Sequence, residues 1–477
     1  MAIDLESEAR WDRRGPCKLP EREAPPTIRN RPPGRISLKA VLGLLAALVA
    51  PAVMLMFIHH YGVNAPFWDE WDELAIVPRA YDGTLTLAAF CAQQNEHRPI
   101  TSKVASVVLA KTTQLNLVDE MYWGFAFEFL SLILIWRMLT ASLRDRARVL
   151  IWPLTIVASL LLFWTVAFEN WTWGIASFQY LSAVFWAVLA VWGLTSWPGR
   201  WKGTVIAAVS TALAIYTTGH GFALIPVAIV GMLAYGALAR KILWGQLCLF
   251  AAVAVCCTAL YLRGYVSPGF HQPGPLSRVR PLAVIQYFLT YLGSPFWTTR
   301  GGLALIFGVI GFGGLLATGY YIARFMRDGV VSAMPWLLLG AYTALNGMVT
   351  AVARLDFGGI EQANQPRYRS IVVPLWISLI VTSSIIAVHL GPRFNRATIA
   401  ISVTASIILF IGGYSYLYYR GFLYIRLRSH ILADGLPYLM HYETAPDDKL
   451  QIFHPNPATV RGMSRKLERY QLGPFAH

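Results

Sequence analysis

The chain has 477 residues, 56% hydrophobic and 14% charged, with a formal net charge of +15 at neutral pH. Soluble domains carry about 25% charged residues, so this composition excludes an ordinary soluble enzyme and defines a polytopic membrane protein. The positive charge is no sign of nucleic-acid affinity, and no nucleic-acid partner is expected: basic residues gather at helix ends, where they set orientation and meet membrane lipids.

In chain order, residues 1–38 are polar, proline-bearing and mixed in charge, which reads as a disordered cytosolic tail. The apolar run Val41 to Ile58 is long enough to span and follows a tail that is long and mixed in charge, unlike a cleaved leader, so an uncleaved first helix is expected. Directly after it, Phe67-Trp-Asp-Glu-Trp-Asp-Glu73 sets Asp69, Glu70, Asp72 and Glu73 at the water interface. Ionised groups there are costly unless they bind, pair or react. If a helix starts near Trp68, Asp69 and Glu73 share a face at i,i+4 with Glu70 beside them. Carboxylates that close raise one another's pKa and suit a general base or a metal; acids favouring the first turn of an interfacial helix are the plainer alternative. Trp68 and Trp71 read as interface anchors or as rings on which a sugar stacks.

The rest of the first loop carries helix-like spacing at Asp72 to Ala80 and Leu87 to Cys91, and Thr101 to Leu109 alternates small and apolar residues; two or three interfacial helices are expected. Within it, Gln93-Gln-Asn-Glu-His-Arg-Pro99 groups Glu96, His97 and Arg98 as an acid, a neutral donor and a phosphate-binding cation, or as a solvated turn. Eleven spans are expected: 39–60, 118–140, 149–167, 177–197, 203–218, 222–239, 243–262, 301–323, 331–352, 370–390 and 397–419. The short turns Phe168-Glu-Asn-Trp-Thr-Trp-Gly174 and Thr217-Thr-Gly-His-Gly-Phe222 would bring Glu169 and His220 to the mouth of the bundle. Asn170-Trp-Thr172 matches a glycosylation sequon but hugs the membrane. Cys248, Cys256 and Cys257 share one apolar helix and read as packing residues, with Cys17 and Cys91 elsewhere and no paired framework.

The expected fold is therefore an all-α, polytopic bundle of about eleven spans over 39–420, preceded by the 1–38 tail and followed by an extracytoplasmic segment 421–477. The short loops Arg144–Arg148, Gly199–Lys202, Arg240–Lys241, Arg324–Arg327 and Arg393–Arg396 fall on one side, which the positive-inside rule makes cytosolic. The longer loops 61–117, 263–300 and 353–369 then lie outside with the acidic run. Arginine far exceeds lysine, which points to a GC-rich bacterial genome and hence a bacterial cytoplasmic membrane. Outer arginines run against the topology rule: Arg263, Arg278, Arg280 and Arg300 without an acid, then Arg354, Arg367 and Arg369. A bound phosphate or lipid headgroup explains them, because guanidinium groups match phosphate oxygens.

A first helix, an acidic pair in the first outer loop, interfacial helices, many further spans and a late outer Arg367-Tyr368 together resemble the GT-C superfamily of integral-membrane glycosyltransferases. The resemblance covers the layout of 39–420. It implies an Asp of the first outer loop as catalytic base or acceptor-positioning acid, and a polyprenyl-phosphate-linked sugar as donor. Asp69-Glu70 matches the acidic pair, Asp72-Glu73 offers a second register, and Arg354 joins Arg367 and Tyr368 as an added substrate-binding candidate. The doubled Trp-Asp-Glu departs from the usual single motif. The segment after the last span is too short for the large soluble domain that some members carry, so acceptor choice does not transfer.

The chemistry expected is inverting glycosyl transfer to a glycan, lipid or protein acceptor, with arginines on the leaving lipid phosphate. A divalent cation (Mg or Mn) on the acids is compatible and not required. A glycan polymerase or ligase also uses outer arginines but needs no acidic first-loop motif. A flippase or transporter of lipid-linked sugars would place ionisable groups at mid-membrane depth, where Glu128 is the clearest case.

Overall fold

The structure, a computed structural model, describes residues 37–143, 145–266, 280–296, 302–391 and 396–476, with only the backbone described at 145, 146, 328 and 396–411. The 1–38 tail, Cys17, Arg144, Arg278, Arg300 and Arg393 lie wholly or largely outside the described residues. Every regular element described is a helix, and the single β-bridge joins Gln94 to His97.

Nine helices among the described residues are long and apolar enough to cross a membrane. They are Leu38–Tyr61, Leu117–Ser142, Ala147–Ala167, Gly174–Ser196, His220–Leu238, Trp244–Leu262, Gly302–Phe325, Val330–Gly358 and Pro366–Leu390. Of the eleven expected, 203–218 forms the 18-residue helix Trp201–Thr218, shorter than those nine. The span expected at 397–419 is the first part of a 45-residue helix, Arg396–Met440. Local chemistry sets the boundaries. The Ser37 hydroxyl accepts from the Ala40 N–H at 3.2 Å, and Asn116 caps the helix Leu117–Ser142 through Val118 at 3.2 Å.

The segment 263–300, expected as a loop, is partly helical. Pro281–Gly293 presses Tyr287, Phe288, Tyr291 and Leu292 into the main core, with Pro281 opening the helix where its missing N–H costs nothing. It crosses the helix Gly302–Phe325 with backbones in contact. A Cβ on Gly293 would fall on the Ala304 carbonyl, and one on Gly308 on the Leu289 carbonyl. Small residues permit such approach where apolar burial alone cannot drive association.

The first loop supplies four helices, Glu70–Glu73, Ile76–Tyr81, Leu87–Cys91 and Ile100–Thr113. Their shared core is closed by the end of the chain. Trp71, Leu74, Val77, Leu109 and Leu115 bury against Leu432, Leu439, Leu450, Phe453, Val460, Leu467 and Phe475. The helix Pro457–Arg469 turns Val460, Met463 and Leu467 inward, at spacings of three and four. Polar seams join the same pieces: Gly473 N–H donates to the Gln114 carbonyl at 2.7 Å, Tyr470 hydroxyl donates to Asp82, and Trp68 N–H donates to the Phe453 carbonyl at 2.7 Å.

Gly308→Ala is expected to cost about 1–3 kcal/mol by forcing the two backbones apart, read as a lower thermal midpoint of the purified protein in detergent. Gly313→Ala, on the same helix with nothing within 4 Å of the added methyl, should leave the midpoint unchanged or raise it.

Candidate active site

The acidic run is divided by backbone geometry. Trp68 sits in the left-handed region at φ 50°, a costly place for a bulky residue, held by the hydrogen bond to Phe453. The helix then starts at Glu70, with Asp69 before it. Glu70, Trp71 and Glu73 turn inward and are buried, whereas Trp68, Asp69 and Asp72 are exposed. The carboxylates expected to share one face therefore serve three different surroundings.

Glu70 is structural in its contacts. Its carboxylate accepts from Phe67 N–H and Ile175 N–H, both at 3.0 Å, tying the first loop to the start of the helical segment at 174. Burial nonetheless pushes its pKa up. Gly174 leaves the room: a Cβ there would meet Glu120 Oε2 at 2.7 Å and Glu70 Oε1 at 2.8 Å. Glu73 accepts from Ser102 at 2.9 Å, Ser106 at 3.3 Å and Gln179 at 3.1 Å. Burial pushes its pKa up to about 7, against those hydrogen bonds and the Lys103 charge. Asp72 is exposed and points away from the cavity described next.

Asp69 opens on a cavity of about 620 Å³ at the end of the bundle. Six of the residues singled out from sequence line it: Asp69, Glu96, His97, Glu169, Arg354 and Arg367. They arrive from four separate stretches of chain. Two of the outer arginines, for which a bound anion was expected, are met by the wall's own acids. Arg354 pairs with Glu96, which also contacts His97 Nε2 at 3.1 Å, and Arg367 pairs with Glu169 at 3.5 Å. Burial pushes the His97 imidazole down to about 4, so it is neutral at physiological pH. Asp69 has no hydrogen bond or ion pair from its carboxylate to any described residue, while Gln94 Nε2 donates to its backbone carbonyl at 3.0 Å.

Five candidates lie elsewhere. Besides Glu70 and Asp72, Arg98 departs from its expected role as a phosphate-binding cation: its three nitrogens donate to the carbonyls of Tyr261, Cys91 and Arg263 at 2.5–2.7 Å. It is thereby consumed in capping the end of the helix Trp244–Leu262. His220 is held by Thr218 Oγ1 at 2.6 Å and lies edge-on to Tyr180. Tyr368 is buried, 6.0 Å from the Tyr180 ring centroid. Both stand behind the cavity wall, with Tyr180 in front of them. Asn170 of the sequon is buried, donating to the Arg367 carbonyl and Ser370, both at 2.9 Å.

The sequence reading missed Arg428, which lines the cavity from the helix Arg396–Met440. Its guanidinium lies over the Phe67 and Trp173 rings at 4.1 and 5.3 Å, and its Nη2 is buried with no hydrogen-bond partner among the described residues. Burial lowers its pKa to about 10, so it stays charged. A signal existed. Leu417, Gly421, Ile425, Leu432, Gly435 and Leu439 are buried at spacings that put position 428 in register with them, so an arginine occupies an inward helical position. Three carboxylates thus face three guanidiniums in one cavity. As for a divalent cation, no group of three or more His, Cys, Asp or Glu side chains among the described residues is arranged to hold one. Glu96 and Glu169 are engaged with arginines.

Fold and cavity together define a polytopic, all-α membrane protein with an ion-paired cavity at one end of its bundle. No protein-family model matches the chain, and no curated protein matches it. Among solved structures it is similar to the archaeal oligosaccharyltransferase AglB from Archaeoglobus fulgidus in complex with an inhibitory peptide and a dolichol-phosphate. The identity there is 13%, over 86% of this chain and 59% of that one, with a TM-score of 0.47. A crystal structure of the Archaeoglobus fulgidus oligosaccharyltransferase with Zn and sulfate is similar at 15% identity over 85% of this chain and 55% of that one, TM-score 0.47. The chain spans rather more than half the length of these two structures.

Glu73 gives a pH prediction. A carboxyl raised from 4.5 to about 7 holds a proton in the folded state that the unfolded chain releases. Its contribution is full below pH 4.5, is lost as pH rises to about 7, and is flat above, on the order of 3 kcal/mol across the window. Thermal midpoints measured from pH 5 to pH 8 should fall, and Glu73→Gln should flatten the slope.

Proposed function

We propose that the chain is an inverting membrane glycosyltransferase that moves a sugar from a polyprenyl-phosphate donor to an acceptor at the extracytoplasmic face. The first-loop helices lie along that interface, and Asp69 is the base. The observation that carries this is the meeting, in one cavity, of a carboxylate with no hydrogen-bond or ion-pair partner among the described residues and arginines that match a phosphate. The Asp69 carboxylate takes the proton of the acceptor hydroxyl as its oxygen bonds to the anomeric carbon. The bond from that carbon to the phosphate oxygen breaks, its electron pair leaving on the lipid phosphate. Arg428, with no carboxylate partner among the described residues, faces the charge that develops there. Arg367 and Arg354, held by Glu169 and Glu96, fix the wall and add to the same field. A phosphate leaves without acid help, so one base and a few cations suffice.

A transporter of lipid-linked sugars is less well supported. Glu128 is buried inside its span, hydrogen-bonded to no described residue, and does not line the cavity.

The test is transfer by the full-length protein in nanodiscs, offered synthetic polyprenyl-phosphate sugars and membrane glycans, with products read by mass spectrometry. Asp69→Asn should lower turnover by about 10²-fold or more, the scale of a lost general base, while keeping expression and thermal midpoint. Asp72→Asn should stay within about threefold. Full activity of Asp69→Asn removes the assignment. Separately, Arg428→Gln should raise the donor KM more than it changes the acceptor KM. Equal effects on both would remove Arg428 from the phosphate side.

A further inference from the structure

The two tryptophans of the acidic run have opposite fates. Trp71 is fully buried in the core beneath the first loop, whereas Trp68 is 47% exposed and lines the cavity beside Asp69. A strained, left-handed backbone holds Trp68 there, and the Phe453 carbonyl fixes it from the far end of the chain. Strain kept at a bulky residue calls for a return in function, because glycine or asparagine would take the same turn at no cost. Its indole lies 6.1 Å from the Phe67 ring, the ring that carries Arg428 on its face. An exposed indole therefore lines the cavity next in sequence to the candidate base and near the ring that carries the arginine.

The same cavity presents neutral amides with capacity to spare. Gln94 Oε1 and Gln362 Oε1 are buried, line the cavity and have no hydrogen-bond partner among the described residues. A buried amide oxygen without a donor is expensive unless a ligand supplies one. Hydroxyl groups are such donors, and a pyranose offers several around a ring whose flat face carries polarised C–H groups that suit an aromatic surface. A lipid acceptor would prefer a continuous apolar wall, and a peptide a row of backbone partners; here an indole alternates with amides.

We propose that Trp68, with Gln94 and Gln362, forms a subsite for a pyranose ring, so that the acceptor is a glycan. This rests on the transferase reading above and deepens it. Trp68 supplies the stacking face, the amide oxygens accept the sugar hydroxyls, and Asp69, next in sequence, receives the hydroxyl to be glycosylated.

The test uses the full-length protein in nanodiscs and saturation-transfer NMR. The probes are methyl α-D-glucopyranoside, methyl α-D-mannopyranoside, methyl β-D-galactopyranoside and a Gly-Ser-Gly-Ser peptide. At least one glycoside should show saturation on its ring C–H protons. Trp68→Ala should weaken that signal about fivefold or more, and Trp68→Phe should keep at least about half of it, as expected for an aromatic face. If Trp68→Ala fails to fold, Gln94→Leu takes its place with the same expected loss. No glycoside signal, a signal indifferent to the variants, or binding of the peptide alone overturns the subsite. Asp69→Asn should keep the glycoside signal while losing transfer. Glycoside binding by a wild-type protein that transfers no sugar defeats the transferase reading and leaves the subsite standing. Transfer whose acceptor KM is unmoved by Trp68→Ala does the reverse.

Discussion

One backbone hydrogen bond, from Trp68 N–H to the Phe453 carbonyl, decides what the acidic run becomes. It fixes the left-handed turn that ends the irregular stretch 62–67 and starts a helix at Glu70. From there a side chain's face follows from helical geometry alone. Positions 70, 71 and 73 are inward, and 69 and 72 outward. Glu70 then has two backbone donors within reach, and Glu73 has two serines and a glutamine. Only Asp69 is left facing the cavity without a partner among the described residues. An otherwise identical sequence entering the helix one residue earlier would exchange these roles. That is why the end of the chain, which supplies Phe453, belongs to the site as fully as the first loop does.

Charge balance is the second constraint. A cavity with a largely buried wall does not readily hold three unmatched cations, and the chain answers with Glu96 and Glu169 against Arg354 and Arg367. The cost of Arg428 is met differently, by aromatic faces on Phe67 and Trp173 and by one carbonyl. Such a cation keeps its charge while leaving donors unspent, which is the property an anion-binding residue needs. Arg98 shows the contrary case. Its fork is filled by three carbonyls, so its charge serves the end of a helix and the attachment of the first loop to it.

How much of this was legible in the sequence divides along the same line. Nine of the eleven expected spans were, because twenty apolar residues in a row admit one solution in a bilayer, and the limits of Leu117–Ser142 or Gly302–Phe325 fall within a few residues of those expected. The residue types of the site were legible too, since charge at the end of a span must be used. Pairings were not. Arg354 with Glu96, Arg367 with Glu169 and Trp68 with Phe453 join residues far apart in the chain, and no local periodicity encodes such partners. The helix Pro281–Gly293 was hidden for another reason: at 13 residues it is too short to span and was read as loop. Arg428 was masked by the assumption that the last helix ends with the membrane, although its buried face continues unbroken to Leu439.

That continuation has a consequence for how the cavity is built. The helix Arg396–Met440 runs on past the bundle as one continuous element, with Thr165 donating to the Tyr418 carbonyl and Gly421 pressed on the Thr165 backbone. The helix carries Arg428 to the cavity, and the chain after Met440 folds back so that Phe453 reaches Trp68. The helix therefore sets one end of the proposed site, the cation for the leaving phosphate, and the segment folded back from it sets the other, the turn that presents the base. Both ends are tied to the bundle by hydrogen bonds or packing, which favours holding a donor and an acceptor in line. The first loop contributes the proposed base, and the helix contributes the proposed cation.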